Sequence, residues 1–345
     1  MTLKTLIICF AWSIVFTSCS HNRLDIDISE VKTGSYKFIR LDSLLWVWSV
    51  NTRDTDTALK HIQNLSSAQR FALSSVIPVD SLRNTNAQKR VIKRYIKNAD
   101  IAAALGRIHS LYTPEKFGRL KTEIDILFKH YAYYFPKDSI PNIISFCSGW
   151  NYAFAPYRNN LVLSLDMYLG DTCSLYKYLP FPKYQIAKMN PDYIIPDLAR
   201  ALLLIKTDRQ QAADFLLAHA VFYGKLFYGI KALIPKTDDR LILGYTTDHM
   251  KYLSQYEHQL WTYFATDNKW FVQDLKVIRA HITEGPFTAA ISKECPPRIA
   301  MWVGYRMVTA FMNRNPQITL DSLFSIQDPH RIYEKALTDL EWNLK

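Results

Sequence analysis

The spacing of apolar residues constrains the fold of this chain more than any other feature of its sequence. Over most of residues 42–134, and again beyond residue 195, apolar side chains recur every three or four positions, which is the period of an amphipathic helix. Only the runs 36–41, 143–147 and 161–165 have the alternation or β-branched content of strands. The sequence therefore predicts an α+β fold that is predominantly α-helical and contains a small sheet.

Loops divide this pattern without separating it into domains. Polar loops near 51–57 and 84–87 interrupt the first helical region, and an aromatic loop separates the runs 143–147 and 161–165, which we expect to pair as antiparallel strands. We find no linker, so 34–345 is predicted to be a single domain. The later helices are expected at 195–205, 210–232, 247–266, 267–280, 297–313 and 329–342.

The first nineteen residues have the parts of a bacterial lipoprotein signal. Lys4 supplies a positive charge, 6–16 is an apolar stretch too short to span a bilayer, and small residues precede Cys19. We expect cleavage after residue 18, lipid attachment at Cys19, and a polar tether over 19–33. The alternative is an ordinary secretory signal that contains an incidental cysteine.

The residues after the anchor indicate where the mature protein resides. Ser20-His21-Asn22-Arg23 contains no acid, which is typical of lipoproteins that stay on the periplasmic side of the outer membrane. Removal of the leader leaves 41 basic and 31 acidic residues, a net charge of +10. We therefore expect an envelope protein that is attracted to anionic surfaces or acidic protein partners.

Basic residues are most concentrated in one predicted helix. Its lysines recur at a spacing of four, and its apolar residues form the opposite face. This basic cluster is either a solvated face or a contact for lipid phosphates or an envelope protein, and nucleic acid is disfavoured because no recognition motif is present. The cluster consists of Lys89, Arg90, Lys93, Arg94 and Lys97.

The mature chain has three cysteines besides the anchor: Cys147, Cys173 and Cys295. Their number allows at most one disulfide, and their spacing matches no structural zinc site. We expect them to be small buried residues.

The helix at 210–232 carries a histidine, His219, on its apolar stripe. A zinc peptidase helix would read HExxH, but here the residues are His219-Ala220-Val221-Phe222-Tyr223. Alanine cannot act as a base, and a neutral phenol is a poor replacement for imidazole as a zinc ligand. The sequence therefore favours a core histidine over a metal ligand, and we expect neither a bound metal nor a cofactor.

Charged residues also fall on apolar stripes of later helices. Glu257 lies between Leu253 and Trp261, and a buried carboxylate at that position needs a partner. Such charges form either a structural ion pair, which we favour, or the remains of a polar pocket. The candidate partners are Tyr223, Lys225, Arg298 and Arg306.

Several short motifs occur in an order that resembles the gliding-motility lipoprotein B (GldB) family of Bacteroidetes. The resemblance covers nearly the whole mature chain, although Ala300 stands where the family pattern has glycine, and Arg306 also departs from it. The motifs are Ser148-Gly149-Trp150-Asn151-Tyr152, Leu165-Asp166-Met167-Tyr168-Leu169-Gly170, Tyr223-Gly224-Lys225, Gly244-Tyr245-Thr246, Glu257 with Trp261, Gly285-Pro286-Phe287-Thr288, and Pro297-Arg298-Ile299 with Trp302, Gly304 and Tyr305.

This resemblance implies both a scaffold and a cellular context. The family is similar to zinc-dependent proteases that carry HExxH, which implies a zincin-like scaffold with the Leu161 strand beside the cleft and Glu257 near the place of a downstream carboxylate ligand. Only His219 of that motif is retained here. The family is associated with gliding and with type IX secretion, although members also occur in organisms that do not glide.

Three functions remain open at this stage. The first, which we favour, is a non-catalytic, membrane-anchored accessory component of cell-envelope machinery, with the former cleft kept as a packing core or partner groove. The second is a metallopeptidase whose ligands come from His219, Glu257, His249 or His258. The third is a glycan-binding or lipid-binding module that uses the aromatic residues Trp150, Tyr152, Phe154 and Tyr157.

Overall fold

The computed structural model describes residues 23–51, 55–207 and 214–343, so the predicted leader and Cys19 lie outside the described residues. Helix accounts for 62% and strand for 6%, which confirms the predominantly helical α+β class. No helix in the described ranges is long and apolar enough to cross a membrane.

Fifteen α-helices lie in the described residues, most of them with a side-chain cap or an apolar stripe that the sequence supplies. They are α1 (Leu41–Asn51), α2 (Thr55–Gln63), α3 (Ser67–Ser74), α4 (Thr85–Ile96), α5 (Ala99–Leu111), α6 (Pro114–Tyr134), α7 (Lys183–Ile186), α8 (Ile194–Lys206), α9 (Leu216–Leu233), α10 (Asp239–Leu243), α11 (Thr247–Ala265), α12 (Leu275–Ile282), α13 (Ile299–Arg314), α14 (Leu320–Ser325) and α15 (His330–Asn343).

The sheet is mixed, and its strands are β1 (Phe38–Arg40), β2 (Asn142–Phe146), β3 (Phe154–Tyr157) and β4 (Asn160–Ser164), in the order β1-β2-β4-β3. The predicted antiparallel pairing of 143–147 with 161–165 is wrong, because β2 and β4 are parallel. The chain first passes through β3, which pairs antiparallel with β4 at the sheet edge. The sequence obscured β3 because it contains Pro156, a residue that strands tolerate mainly at edges.

The predicted helix at 267–280 is also wrong in its first half. A short 3-10 segment, Thr266–Phe271, holds Asp267 and Asn268 at positive φ values of 55° and 52°, and α12 starts only at Leu275. Its N-cap Asp274 accepts a hydrogen bond from the backbone N–H of Lys276. Two consecutive left-handed residues end one helix and require another to start anew.

The helices α9 and α13 form the centre of the core. Both have buried residues on several sides, and α9 also contacts α6, α8 and α10. Cys147 and Cys295 are buried free thiols, as expected, whereas Cys173 is half-buried and also free.

The segment predicted as a polar tether lies against this body in its described part. Leu24 is buried, and the guanidinium of Arg23 donates hydrogen bonds to backbone oxygens that include that of Ile318, at 2.8 Å. From residue 23 onward the structure therefore differs from a free tether.

Candidate functional site

The candidate cleft is centred on α9, where the predicted core histidine is only half-buried. Burial lowers the pKa of the His219 imidazole, which therefore favours its neutral form. The imidazole forms no hydrogen bond with another described residue. Tyr223, one turn along the helix, is half-buried and meets the edge of Phe222.

The neighbouring face of α9 is closed by α13 through three small residues. A Cβ atom added at Gly304 would lie 1.9 Å from the backbone oxygen of Ala220, and one added at Gly224 would lie 2.3 Å from the backbone oxygen of Gly304. Ala220 is fully buried in this contact. We call this contact the α9–α13 seam. Ala220 directly follows His219, at the position where an HExxH motif would have glutamate.

Glu257 forms the ion pair that the sequence favoured. The Nε atom of Arg306 lies 2.8 Å from Oε1 of Glu257, which joins α13 to α11. The pair is not interior, however, because the Arg306 side chain is 47% exposed and that of Glu257 34%. The apolar stripes indicated burial, but both side chains leave their helices at the margin of the contact and reach solvent.

Lys225 is the buried cation of the candidate cleft. Its Nζ atom donates a hydrogen bond to the backbone oxygen of Ile326, and burial lowers the pKa of Lys225 to about 8. It therefore pairs with a carbonyl group near the end of α14 rather than with Glu257. A cation held in this way reduces stability at neutral pH, because desolvation of the charge opposes folding.

We expect Lys225→Met to raise the free energy of unfolding at pH 7 by about 1–2 kcal/mol. The pKa shift alone implies roughly 3 kcal/mol, but the variant also loses the hydrogen bond to the backbone oxygen of Ile326. Because the folded-state pKa lies below that of the unfolded chain, the wild-type protein should gain stability between about pH 8 and 10.5, and the advantage of the variant should shrink there. Urea titrations at pH 7 and 9.5 measure both effects. The control is Lys231, which lies on α9 like Lys225 but pairs with Asp239 of α10. Lys231→Met should lower the free energy of unfolding at pH 7, and equal curves for both variants would contradict this account.

Arg298 and Arg306, the last two candidate residues, have different partners. The buried Arg298 side chain donates a hydrogen bond through Nη2 to the backbone oxygen of Leu243 at 2.7 Å, and its Nε atom lies 3.1 Å from Oε2 of Glu284. The second carboxylate oxygen of Glu284 accepts from Lys188 at 2.8 Å. Burial, together with the charge of Arg298, lowers the pKa of Lys188 to about 8.

This cluster, which we call the Arg298 clasp, ties α10, the end of α12 and the start of α13 to the loop after α7. Arg298 precedes α13 with a φ of 58°, a left-handed conformation that is uncommon for arginine and that places its side chain across the ring of Tyr245. The sequence analysis identified Arg298 but missed Lys188 and Glu284. The position of Glu284 beside the motif Gly285-Pro286-Phe287-Thr288 was the available signal.

The aromatic loop packs against the protein. Trp150, Tyr152, Phe154 and Tyr157 are partly buried against the core, and Tyr157 stacks on Phe71 with 4.3 Å between ring centroids. The contact with Phe71 occupies a ring face of Tyr157 that a glycan would need.

The buried carboxylate of Asp166 holds this loop in place. It accepts hydrogen bonds from the backbone N–H groups of Ser148 and Trp150 at 3.0 and 2.5 Å. Burial raises the pKa of Asp166 to about 6, while these bonds favour its charged form.

The other two histidines of the metallopeptidase hypothesis, His249 and His258, have different environments. His249 completes a capping box with Thr246 at the start of α11, using its Nδ1 atom as an acceptor, and His258 is exposed. Within the described residues, no group of three histidine, cysteine or acidic side chains is arranged to hold a metal ion.

The basic cluster lies on α4, with Ile92 and Tyr95 buried beneath it. Lys89 forms an ion pair with Asp56, which reduces its availability for a partner. The other four basic residues, Arg90, Lys93, Arg94 and Lys97, are exposed.

Comparison with known proteins connects these features to one family. The profile of the family described as gliding motility protein GldB matches residues 21–337, which include the clasp, the seam and the aromatic loop. No curated protein and no solved structure matches the chain. The zincin-like scaffold implied by the resemblance therefore stays a prediction.

Proposed function

Since the chain belongs to the gliding motility protein GldB family, we propose that it is a lipid-anchored, non-catalytic accessory protein of the cell-envelope machinery that supports gliding. In this proposal Cys19 carries the lipid and the body faces the periplasm from the outer membrane. An envelope protein with an acidic surface is the partner.

The α9–α13 seam carries the proposal. A hydrolase built on a helix such as α9 needs a general base one residue after its first histidine, with room for water beside it. Here that position is Ala220, whose backbone oxygen is covered by Gly304. The carboxylate of Glu257 is engaged by Arg306, so the residues that the resemblance associates with catalysis serve packing and pairing instead.

The exposed basic residues of α4 are the proposed contact for the partner. Exposed charges contribute little to folding but strongly influence association between proteins. Lys93, Arg94 and Lys97 form no ion pair with another described residue, so their charges remain available to an acidic surface.

We expect the triple variant Lys93→Glu, Arg94→Glu and Lys97→Glu to recover about tenfold less envelope protein in a salt-sensitive co-purification. Its thermal unfolding should be nearly unchanged. The matched control reverses three exposed charges outside the cluster, at Lys276, Arg279 and Lys293, and should retain the partner. Affinity purification from envelope extracts at two salt concentrations measures the difference. Equal recovery from both triple variants would contradict the assignment of this face.

Two further measurements test the anchor and the absence of catalysis. Cys19→Ser should abolish incorporation of a fatty-acid analogue and release the protein from the membrane fraction.

The purified protein should contain far less than one zinc per chain, and His219→Ala should preserve gliding in a complemented deletion strain. Stoichiometric zinc, together with loss of gliding in a folded His219→Ala protein, would favour the metallopeptidase.

A further inference from the structure

The first described residues fix the chain to one end of the molecule. Arg23 donates hydrogen bonds to the backbone oxygens of Met312 and Ile318, at and beyond the end of α13, and Leu24 is buried beside it. Several backbone acceptors around one guanidinium hold this arginine in a defined position rather than on a mobile segment.

The distance from this point to the lipid is short. Only three residues, Ser20 to Asn22, lie between Cys19 and Arg23, so four residue steps separate the two. Because a fully extended chain advances about 3.3–3.6 Å per residue, Arg23 lies no more than about 14 Å along the chain from the lipidated residue. A docked segment with so short a lead leaves the body little freedom to rotate on its anchor.

The surface around Arg23 has the composition of a membrane contact. Tyr133 is 48% exposed, and the exposed basic residues Lys137, Arg314 and Lys335 lie on the same end of the protein. The acids that line this surface, Asp138 and Asp321, both pair with Lys206, while the exposed Asp25 and Asp27 follow Arg23 in the chain. Tyrosine and basic side chains are favoured where a protein meets lipid headgroups.

We propose that this end of the protein, defined by Arg23, Tyr133, Lys137, Arg314 and Lys335, rests on the bilayer and fixes the orientation of the body. The inference rests on lipid attachment at Cys19, as proposed above. It assigns a membrane role to basic residues that are distinct from the α4 cluster.

The α4 cluster then lies farther from the membrane than Tyr133 and Lys137 do. The hydroxyl of Tyr95 on α4 donates to the backbone oxygen of Cys147, immediately after the last residue of β2. Tyr133 and Lys137 instead precede the first residue of β2, and a strand of five residues spans about 16 Å. The fixed orientation therefore leaves the α4 cluster free to meet a periplasmic partner.

The orientation can be measured with the full-length lipidated protein in vesicles of phosphatidylethanolamine and phosphatidylglycerol at a ratio of 3:1. A fluorophore is attached to Lys137→Cys or to Lys93→Cys in a Cys173→Ser background, and a lipid that carries a spin label on its headgroup serves as quencher. We expect several-fold stronger quenching at position 137 than at position 93. Equal quenching at the two positions, or stronger quenching at 93, would overturn the proposal.

Insertions test whether docking causes this orientation. Eight glycine and serine residues placed before Arg23 add a flexible reach of about 16 Å and should remove most of the contrast between the two positions. The same insertion between Gly34 and Ser35, which are exposed and follow the docked segment, should preserve the contrast. If both insertions preserve it, docking at Arg23 is not its cause.

Flotation of the vesicles separates the two proposals. A protein that does not float with the vesicles has lost its anchor, which counts against the proposed function. A protein that floats without a quenching contrast counts against the orientation alone.

Discussion

Gly304→Ala is expected to lower the free energy of unfolding by about 3 kcal/mol or more, although alanine normally favours a helix. The added Cβ atom would lie 1.9 Å from the backbone oxygen and 2.4 Å from the backbone carbon of Ala220. Backbone atoms in the middle of a helix cannot move independently, so α9 and α13 would have to separate along much of their length. Urea unfolding monitored by circular dichroism measures the loss.

The control for this prediction is Gly118→Ala. Gly118 lies within α6, and an added Cβ atom would have no neighbour within 4 Å. This substitution should raise the free energy of unfolding by about 0.5–1 kcal/mol through helix propensity alone. If Gly304→Ala proved as harmless as Gly118→Ala, the α9–α13 seam would not be a close backbone contact.

The helical part of the fold was predictable because it depends on local spacing. Apolar periodicity located α4, α9 and α13, and the caps at Asn84 and Thr246 are ordinary helix-start signals. Strand direction was not predictable in this way, since β2 and β4 look alike whether the chain returns directly or passes through another strand. Pro156 removed the local signal for that strand.

The site was harder to predict because its contacts join distant positions. Gly224 and Gly304 are each unremarkable in sequence, and only the packing of α9 on α13 makes them adjacent. The pairing of Glu257 with Arg306 could be proposed because a carboxylate on an apolar stripe requires a cation and few were available. Their exposure could not, since it depends on where α11 and α13 diverge.

The Arg298 clasp gives the second large effect, and Arg306 supplies its control on the same helix. Each arginine pairs with a glutamate, at 3.1 Å for Arg298 and 2.8 Å for Arg306, but the Arg298 side chain is 7% exposed and that of Arg306 47%. We expect Arg298→Met to lower the free energy of unfolding by about 3 kcal/mol. The substitution removes the hydrogen-bond donor to the buried backbone oxygen of Leu243, and it removes one of the two cations that contact the Glu284 carboxylate. Arg306→Met should cost less than about 1 kcal/mol, as is usual for an exposed pair.

Methionine is the appropriate replacement because it matches the unbranched arginine stem as far as Nε and leaves the left-handed backbone at position 298 equally strained in both proteins. The loss then reports on the guanidinium, through its charge, its hydrogen bond and its contact with the ring of Tyr245. Removing that charge should also raise the pKa of Lys188 from about 8 towards its ordinary value, since Arg298 is one of the groups that lower it. A titration of Lys188 by NMR, combined with urea unfolding of both variants, tests the clasp. Equal stability losses at 298 and 306 with an unchanged Lys188 pKa would contradict it, because the two arginines would then be energetically equivalent.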